Sequence, residues 1–178
     1  MPYTSPAAIV TGTTISKTTF GDVVKADLDF LATPPACRAY HNANQSLTHA
    51  TLTALAMNSE REDTDLMHDN VTNNTRITFK TAGRYVVTAQ ILWASNATGE
   101  RALHLRLNGA VFIGGHSQTP VNGSSTAMSV TTQYKFAAND YIELMAFQAS
   151  GGALNVLASD NVNEKRGCEA QACWVGLG

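Results

Sequence analysis

The chain has 178 residues, a length that suits either one compact domain with an appendage or one larger all-β domain. Hydrophobic residues make up 44% and charged residues only 15%, which is enough apolar material for a core and leaves a sparsely charged surface suited to burial against partners. A net charge of −2 excludes the basic footprint of a protein that binds nucleic acid, and no run approaches the roughly 18 apolar residues of a membrane-spanning helix.

Residues 1–35 are predicted to form an extended arm followed by a short helix. The arm is rich in Pro, Thr, Ser and Gly, which favours extended structure over a packed element. Thr19 with Asp22 resembles a capping box, and Pro34 and Pro35 are expected to end the helix. The candidate attachment stripe consists of apolar residues at i, i+4, i+8 and i+11, which fall on one helical face: Phe20, Val24, Leu28 and Leu31.

A helix this short is marginally stable alone in water, so its apolar stripe needs something to pack against. Sister copies of the chain, a larger assembly and the chain's own domain are three alternatives. We expect residues 1–35 to attach the protein to other components of an assembly.

From residue 36 to residue 178 the pattern changes to short β-type runs bounded by turn residues. Predicted strands span 36–40, 45–55, 76–80, 83–94, 101–107, 110–113, 124–136, 141–148, 153–159 and 170–177. Asn108 and Gly109 are typical of a two-residue hairpin turn. About eight to ten strands without intervening helices indicate an all-β antiparallel sandwich or jelly roll.

Catalytic patterns are missing from the sequence. The five histidines form no metal-binding pair, and neither a phosphate-binding glycine loop nor a nucleophile elbow is present. The densest titratable stretch is "SEREDTDLMHDN", residues 59–70, which we interpret as a solvated loop, with a bound cation as the alternative. We therefore expect no enzymatic activity, no metal and no cofactor.

Three cysteines, Cys37, Cys168 and Cys173, are interpreted as buried thiols that act as small hydrophobic residues, with one disulfide as the alternative. Their spacing gives little support to a zinc site, because no second ligand pair follows. The first residues lack the basic and apolar regions of a secretory signal, so we expect the chain to fold in the cytoplasm that makes it.

Four segments, "RITFKTAGRYVVTAQILW", "LHLRLNG", "SVTTQYKFAANDYIELMAFQ" and "ACWVGLG", together resemble the jelly roll of the C1q and tumour-necrosis-factor family over about residues 36–178. The matching features are the Gly83-x-Tyr85 turn, Asp140 before an alternating strand, and the terminal Trp174-x-Gly176 pattern, where the family usually has Phe. The strings "TPPACRAYHN" and "DTDLMHDNVTNNTRITFKTAGRY" resemble more narrowly the C1q-like modules of tailed-phage virion proteins. No collagen-like stalk precedes the module, so the complement-type mode of assembly is not expected.

The resemblance implies a homotrimer whose first and last strands are adjacent near its base, with Cys37 and Cys173 close across neighbouring strands. It also implies a virion location and a minor tail or fibre protein that attaches to the host surface. A capsid head fibre or decoration protein, and a soluble bacterial module that binds carbohydrate or protein, are the alternatives. The expected partners are sister copies, other virion proteins through residues 1–35, and a host-surface glycan or protein.

Host recognition would lie in exposed loops presented by the rigid sandwich. The longest predicted loop is 114–125, and the shorter "WASNATGE" and "FQASGG" are further candidates; all three could also be simple connectors. The candidate recognition residues of the long loop are Gly114, Gly115, His116, Ser117, Gln118 and Asn122.

Overall fold

The computed structural model describes residues 21–120, 124–159 and 166–177, in which one helix precedes a series of strands. The helix is α1 (Asp22–Ala32). The strands are β1 (Ala36–Tyr40), β2 (Gln45–Leu47), β3 (Thr53–Ala54), β4 (Ser59–Asp63), β5 (Arg76–Thr78), β6 (Gly83–Trp93), β7 (Arg101–Leu107), β8 (Val111–Gln118), β9 (Thr126–Phe136), β10 (Tyr141–Gln148), β11 (Leu154–Val156) and β12 (Glu169–Gly176). No helix of the described residues is long and apolar enough to cross a membrane.

The strands form two antiparallel sheets that enclose one core. The seven-stranded sheet has the order β2-β11-β6-β12-β1-β4, and β9 pairs along the other edge of β6. The five-stranded sheet has the order β3-β10-β7-β8, and β5 also pairs with β10. The first strand, β1, pairs with the last, β12, as the resemblance implies.

Period-2 alternation places one side of each long strand in the core. In β6 the inward side chains Tyr85, Val87, Ala89, Ile91 and Trp93 are all fully buried. They meet Leu103 and Leu105 of β7 and Ile142 and Leu144 of β10, which belong to the same core cluster. The alternate apolar residues of β7 and β10 therefore face this core.

The two ends of the sandwich carry different structures. Arg101 pairs with Gln148 on one side and with Gln118 on the other, so the ends of β7, β8 and β10 coincide there. We call this end the apex; it carries loops 94–100 and 149–153. The opposite end, the base, carries the hairpin turn of Asn108 and Gly109, whose φ values of 49° and 70° are those that such a turn requires.

The helix packs against the base through a residue outside the predicted stripe. Phe30 is buried, and its ring meets that of Trp174 edge-on, with a centroid separation of 4.9 Å. Leu28 and Leu31 remain 59% and 60% exposed, and Val24 is half-buried. Thr19 and Phe20 lie outside the described residues. The side of α1 that carries Leu28 and Leu31 is therefore not the side that contacts the chain's own domain.

The interpretation of residues 59–70 as one solvated loop was wrong for its first part, because Ser59–Asp63 forms β4. This strand pairs with β1 through main-chain hydrogen bonds at the edge of the seven-stranded sheet. Pairing with an existing strand does not require apolar side chains, and charged residues are typical of edge strands. Hydrophobic alternation could therefore not reveal β4.

Candidate recognition surface

Two of the short loops that the sequence singled out meet at the apex. The amide of Ala149 donates a hydrogen bond of 3.0 Å to the carbonyl oxygen of Glu100, which joins loop 149–153 to loop 94–100. Gly99 makes this approach possible, because its φ is +77° and a Cβ there would lie 1.9 Å from the Ala149 oxygen. The apical loops therefore form one continuous surface.

A buried arginine supports loop 94–100 from below. Arg101 is 0% exposed, and its guanidinium donates to the carbonyl oxygens of Thr98 and Glu100, both at 2.9 Å. The same group donates to the carbonyl and side-chain oxygens of Asn96 at 3.3 and 3.2 Å. Burial lowers the pKa of Arg101 from its ordinary value, yet the fork geometry still holds three residues of the loop.

A buried glutamine does the same for loop 149–153. The Gln148 amide donates to the carbonyl oxygens of Leu47 at 3.1 Å and Gly152 at 2.8 Å, and its own oxygen accepts from the Ser150 amide at 2.7 Å. Sequence reasoning missed both supports. A signal was present, since Arg101 and Gln148 share the parity of the inward apolar residues of β7 and β10.

The apical loops are polar but nearly uncharged. Within 94–100 and 149–153 the one ionisable side chain is Glu100, and the other polar side chains are hydroxyls and one amide, on Ser95, Asn96, Thr98 and Ser150. Such groups donate and accept hydrogen bonds without a charge to neutralise. The arrangement suits a neutral polar ligand held by a preformed surface.

The interpretation of residues 114–125 as one loop was wrong for Gly114, Gly115, His116, Ser117 and Gln118, because all five belong to β8. A Cβ on Gly115 would lie 2.4 Å from His104 Nδ1. His116 Nδ1 lies 3.1 Å from the Ser129 carbonyl oxygen. Short side chains with little apolar character concealed this part of the strand. Asn122 lies outside the described residues.

Two of these side chains hold β8 against β9. The Gln118 amide donates to the carbonyl oxygen of Ala127 at 3.0 Å, and His116 contacts Ser129 as described. Both contacts are made by side chains because β8 and β9 belong to different sheets. His116 and Gln118 therefore close one side of the sandwich, whereas Ser117 is exposed.

Carboxylates of the 59–70 stretch are used as acceptors for backbone amides. Asp63 accepts from the amides of Asp65, Met67 and His68, at 3.2, 3.0 and 2.9 Å. Hydrogen bonds from the amides of Thr72 and Val71 lower the pKa of Asp69. Across 21–120, 124–159 and 166–177, no group of three metal-binding side chains is positioned to hold an ion.

Two buried glutamates each hold a pair of arginines on the outward face of a sheet. Glu169 binds Arg38 and Arg61 on the seven-stranded sheet, the latter at 3.2 Å, and also accepts from Ser159 at 2.9 Å. Glu143 binds Arg106 at 2.8 Å and Arg76 at 3.6 Å on the five-stranded sheet. Each glutamate is nearly fully buried, so both clusters serve to fix neighbouring strands.

The seven-stranded sheet also presents a neutral outward face between β6 and β9, which we call the neutral face: Val86, Thr88, Ser129, Thr131 and Gln133. These side chains are exposed or half-buried, and the hydroxyls of Thr88 and Thr131 lie 3.0 Å apart. Charged residues pair only further towards the base, where Arg84 lies opposite Lys135. A surface of small, uncharged side chains can be buried at low desolvation cost.

All three cysteines are free; Cys37 and Cys168 are buried, but the interpretation as a buried thiol was wrong for Cys173, whose position in β12 faces outward. Cys37 lies opposite Ala172, so Cys37 and Cys173 are on adjacent strands but their side chains project from opposite faces. Burial raises the pKa of the Cys37 thiol, and burial raises that of Cys168 to about 12. Cys173 is exposed, on the outward face that also carries Val86.

No family model matches the sequence, and no curated protein matches it. The fold is nevertheless that of solved C1q/TNF-like domains. Eiger TNF from S. frugiperda aligns with a TM-score of 0.61 at 9% identity, over 81% of this chain and 94% of that chain. The globular domain of zebrafish complement 1qA gives 0.57 at 11%, over 81% and 99%. Murine APRIL gives 0.59 at 9%, over 79% and 98%. The predicted C1q/TNF-like jelly roll is confirmed.

Proposed function

We propose that the chain is a non-enzymatic, homotrimeric recognition module of a bacteriophage particle, attached through residues 1–35 and contacting the host surface with its apex. The observation that carries this proposal is that the two ends of the molecule differ. A helix with two exposed leucines lies at the base, and loops preformed by Arg101 and Gln148 lie at the opposite end. The phage setting is supported by the residue strings that resemble tailed-phage modules.

Self-association is supported by the fold and by the neutral face. C1q/TNF-like domains form homotrimers, and a threefold arrangement gives each copy the same surface to bury. Three apices held together would also multiply weak contacts with a host receptor. The neutral face carries no charged side chain, so we assign the contact between copies to it.

Two matched substitutions test this assignment. Ser129→Arg places a charge on the neutral face, whereas Ser117→Arg places the same charge on an exposed residue of the five-stranded sheet. Light scattering should give about three times the chain mass of 19.0 kDa for the wild type and Ser117→Arg, and the single-chain mass for Ser129→Arg. A monomeric wild type, or an intact trimer of Ser129→Arg, would contradict the assignment.

The attachment role rests on the exposed side of α1. Leu28 and Leu31 are exposed, Val24 of the same stripe is half-buried, and Phe30 fixes another side of the helix to the domain. Deleting residues 1–33 should leave a soluble trimer that is not incorporated into particles. Normal incorporation of the shortened chain would overturn this role, and electron microscopy of labelled particles would separate a tail position from a capsid decoration.

The recognition role can be tested at the apex without disturbing its supports. The side chain of Thr98 is exposed, and Arg101 contacts only the main-chain oxygen of this residue. Thr98→Arg therefore changes the surface and leaves the hydrogen bond from Arg101 in place. Thr72→Arg makes the same change in loop 64–75 and serves as the control. Binding to host cells or arrayed glycans should be lost only with Thr98→Arg. Equal binding by both variants would move recognition elsewhere, and no binding by the wild type would favour decoration.

A further inference from the structure

Trp93 and Arg101 flank loop 94–100 from below the apex. Trp93 is the last residue of β6 and Arg101 is the first of β7, and both side chains are 0% exposed. The guanidinium carbon of Arg101 lies over the Trp93 ring, 5.8 Å from the ring centroid. The two side chains therefore share one buried region beneath the loop.

Arg101 has one donor more than the loop uses. A guanidinium group carries five N–H groups. Its two terminal nitrogens donate to the carbonyl oxygens of Asn96, Thr98 and Glu100 and to the side-chain oxygen of Asn96. These four contacts account for four N–H groups. The fifth, on Nε, is buried and has no hydrogen-bond partner among the described residues.

Trp93 presents a second buried donor of the same kind. The indole Nε1–H can only donate, and it also has no partner among residues 21–120, 124–159 and 166–177. Buried polar groups are nearly always hydrogen-bonded, and a buried donor left without an acceptor is destabilising. Of the three buried side-chain nitrogens without a partner in the described part of the chain, two belong to this pair.

The positive charge of Arg101 also lacks a counter-charge. A guanidinium stays protonated in proteins, and the described residues place no carboxylate in an ion pair with it. The side chain of Glu100, the neighbouring acid, is exposed. Burial is what lowers the pKa of Arg101, and no carboxylate opposes that effect. A buried charge is costly unless it is compensated.

We propose that the apex contains a buried site for a monovalent, monatomic anion of the size of chloride or bromide, bound by the Nε1–H of Trp93 and the Nε–H of Arg101. Such an ion accepts from both unpartnered donors and neutralises the guanidinium. Its two ligands are fully buried, so the site has no room for a phosphate group or for the carboxylate of a larger molecule.

A water molecule satisfies these requirements less well than an anion. It can accept from both donors, but it leaves the charge of Arg101 uncompensated. Water also brings two hydrogens that need acceptors of their own. The carbonyl oxygens of the loop that lie nearest to Arg101 already accept from its terminal nitrogens.

The ion would join the two ends of loop 94–100. Its ligands are the residues that immediately precede and follow the loop, so the bridge closes the loop at its neck. The site thus supports the loop together with the hydrogen bonds from Arg101. It lies inside the sandwich and goes beyond the proposed function, because its test does not depend on a host receptor.

The first test measures unfolding by urea in sodium chloride and in sodium gluconate, at equal ionic strength and pH. Gluconate is too large for the site. Trp93→Phe removes one donor, and Trp174→Phe is the matched control, because among the described residues no arginine lies over the Trp174 ring. For a dissociation constant of about 10 mM, about 0.1 M chloride should lower the unfolding equilibrium constant about tenfold in the wild type and in Trp174→Phe. Trp93→Phe should show almost no difference between the two salts.

The second test uses bromide as the probe. The chain has two tryptophans, so Trp93 is the one indole left in Trp174→Phe. Bromide bound beside it should quench its fluorescence with a saturable dependence on concentration, whereas collisional quenching of a buried indole is weak and does not saturate. Crystals of the wild type in bromide should show an anomalous peak between Trp93 Nε1 and Arg101 Nε.

Two results would overturn the anion site. One is a peak at this position without anomalous signal, or no peak, which would identify a water molecule or no ligand there. The other is a chloride dependence of stability that is equal in Trp93→Phe and Trp174→Phe. If Trp93→Phe does not fold, the bromide measurement on wild-type crystals decides alone.

Discussion

Gly99 and Ala149 approach each other at the apex so closely that the contact admits no side chain on residue 99. A Cβ there would lie 1.9 Å from the Ala149 carbonyl oxygen, and the φ of +77° is one that L-residues rarely adopt. The contact brings two loops together that are 50 residues apart in sequence. One glycine thus makes the apical surface continuous.

Gly99→Ala should therefore open the apex. The added methyl group must displace the Ala149 carbonyl and accept a left-handed backbone, so we expect a loss of about 2 kcal/mol in the free energy of unfolding. Gly152→Ala is the control, because a Cβ on Gly152 meets nothing within 4 Å. Urea unfolding of the two variants checks this, and equal stabilities would show that the loops move apart without cost.

Arg101→Lys should loosen loop 94–100 while the sandwich stays folded. A lysine ammonium is a point donor and cannot span the carbonyl groups of Asn96, Thr98 and Glu100 as the guanidinium does. We expect a loss of about 3 kcal/mol and faster hydrogen exchange confined to the loop. Arg84→Lys, an exposed change at the base, should leave both measurements unaltered. Unchanged exchange in Arg101→Lys would mean that the loop holds itself.

Glu143→Gln should destabilise the five-stranded sheet. The substitution keeps the shape of the side chain but leaves Arg76 and Arg106 without the buried carboxylate that both contact. We expect a loss of about 3 kcal/mol, whereas Glu62→Gln on the exposed edge strand should cost less than about 0.5 kcal/mol. Thermal unfolding at neutral pH measures both. A loss of stability in Glu143→Gln as small as that in Glu62→Gln would mean that solvent screens the ion pairs of Glu143 with Arg76 and Arg106.

A strand could be predicted from the sequence where its side chains alternate between apolar and polar. It could not be predicted where it forms only through main-chain hydrogen bonds to a neighbouring strand. Leu103 and Leu105 alternate with His104 and Arg106, and this pattern was sufficient to predict β7 and its buried face. In contrast, β4 and the second half of β8 form because a neighbouring strand offers a main-chain edge, and their small or charged side chains carry no period.

The site was harder to predict than the fold. Each apical loop could be recognised by its Ser, Asn and Gly content, but their contact follows from the pairing of Arg101 with Gln148, which joins distant parts of the chain. The predicted recognition residues Gly114–Gln118 looked like a loop because glycines conceal strands. Arg101, a charged residue at an inward position of β7, was the sequence feature that indicated a buried side chain holding loop 94–100.

The thiols give a prediction that also reports on assembly. Because burial raises the pKa of Cys168 to about 12, and that of Cys37 also rises, both stay protonated at pH 8 and should resist alkylation until the chain unfolds. The folded state resists ionisation of these thiols and the unfolded state does not, so the free energy of unfolding should fall as the pH rises above about 9.

Cys173 is exposed on a single chain and should react at once in a monomeric Ser129→Arg variant. Mass spectrometry after a short iodoacetamide pulse would count the labelled sites. Labelling of Cys37 or Cys168 in the folded protein would contradict the buried positions of these strands.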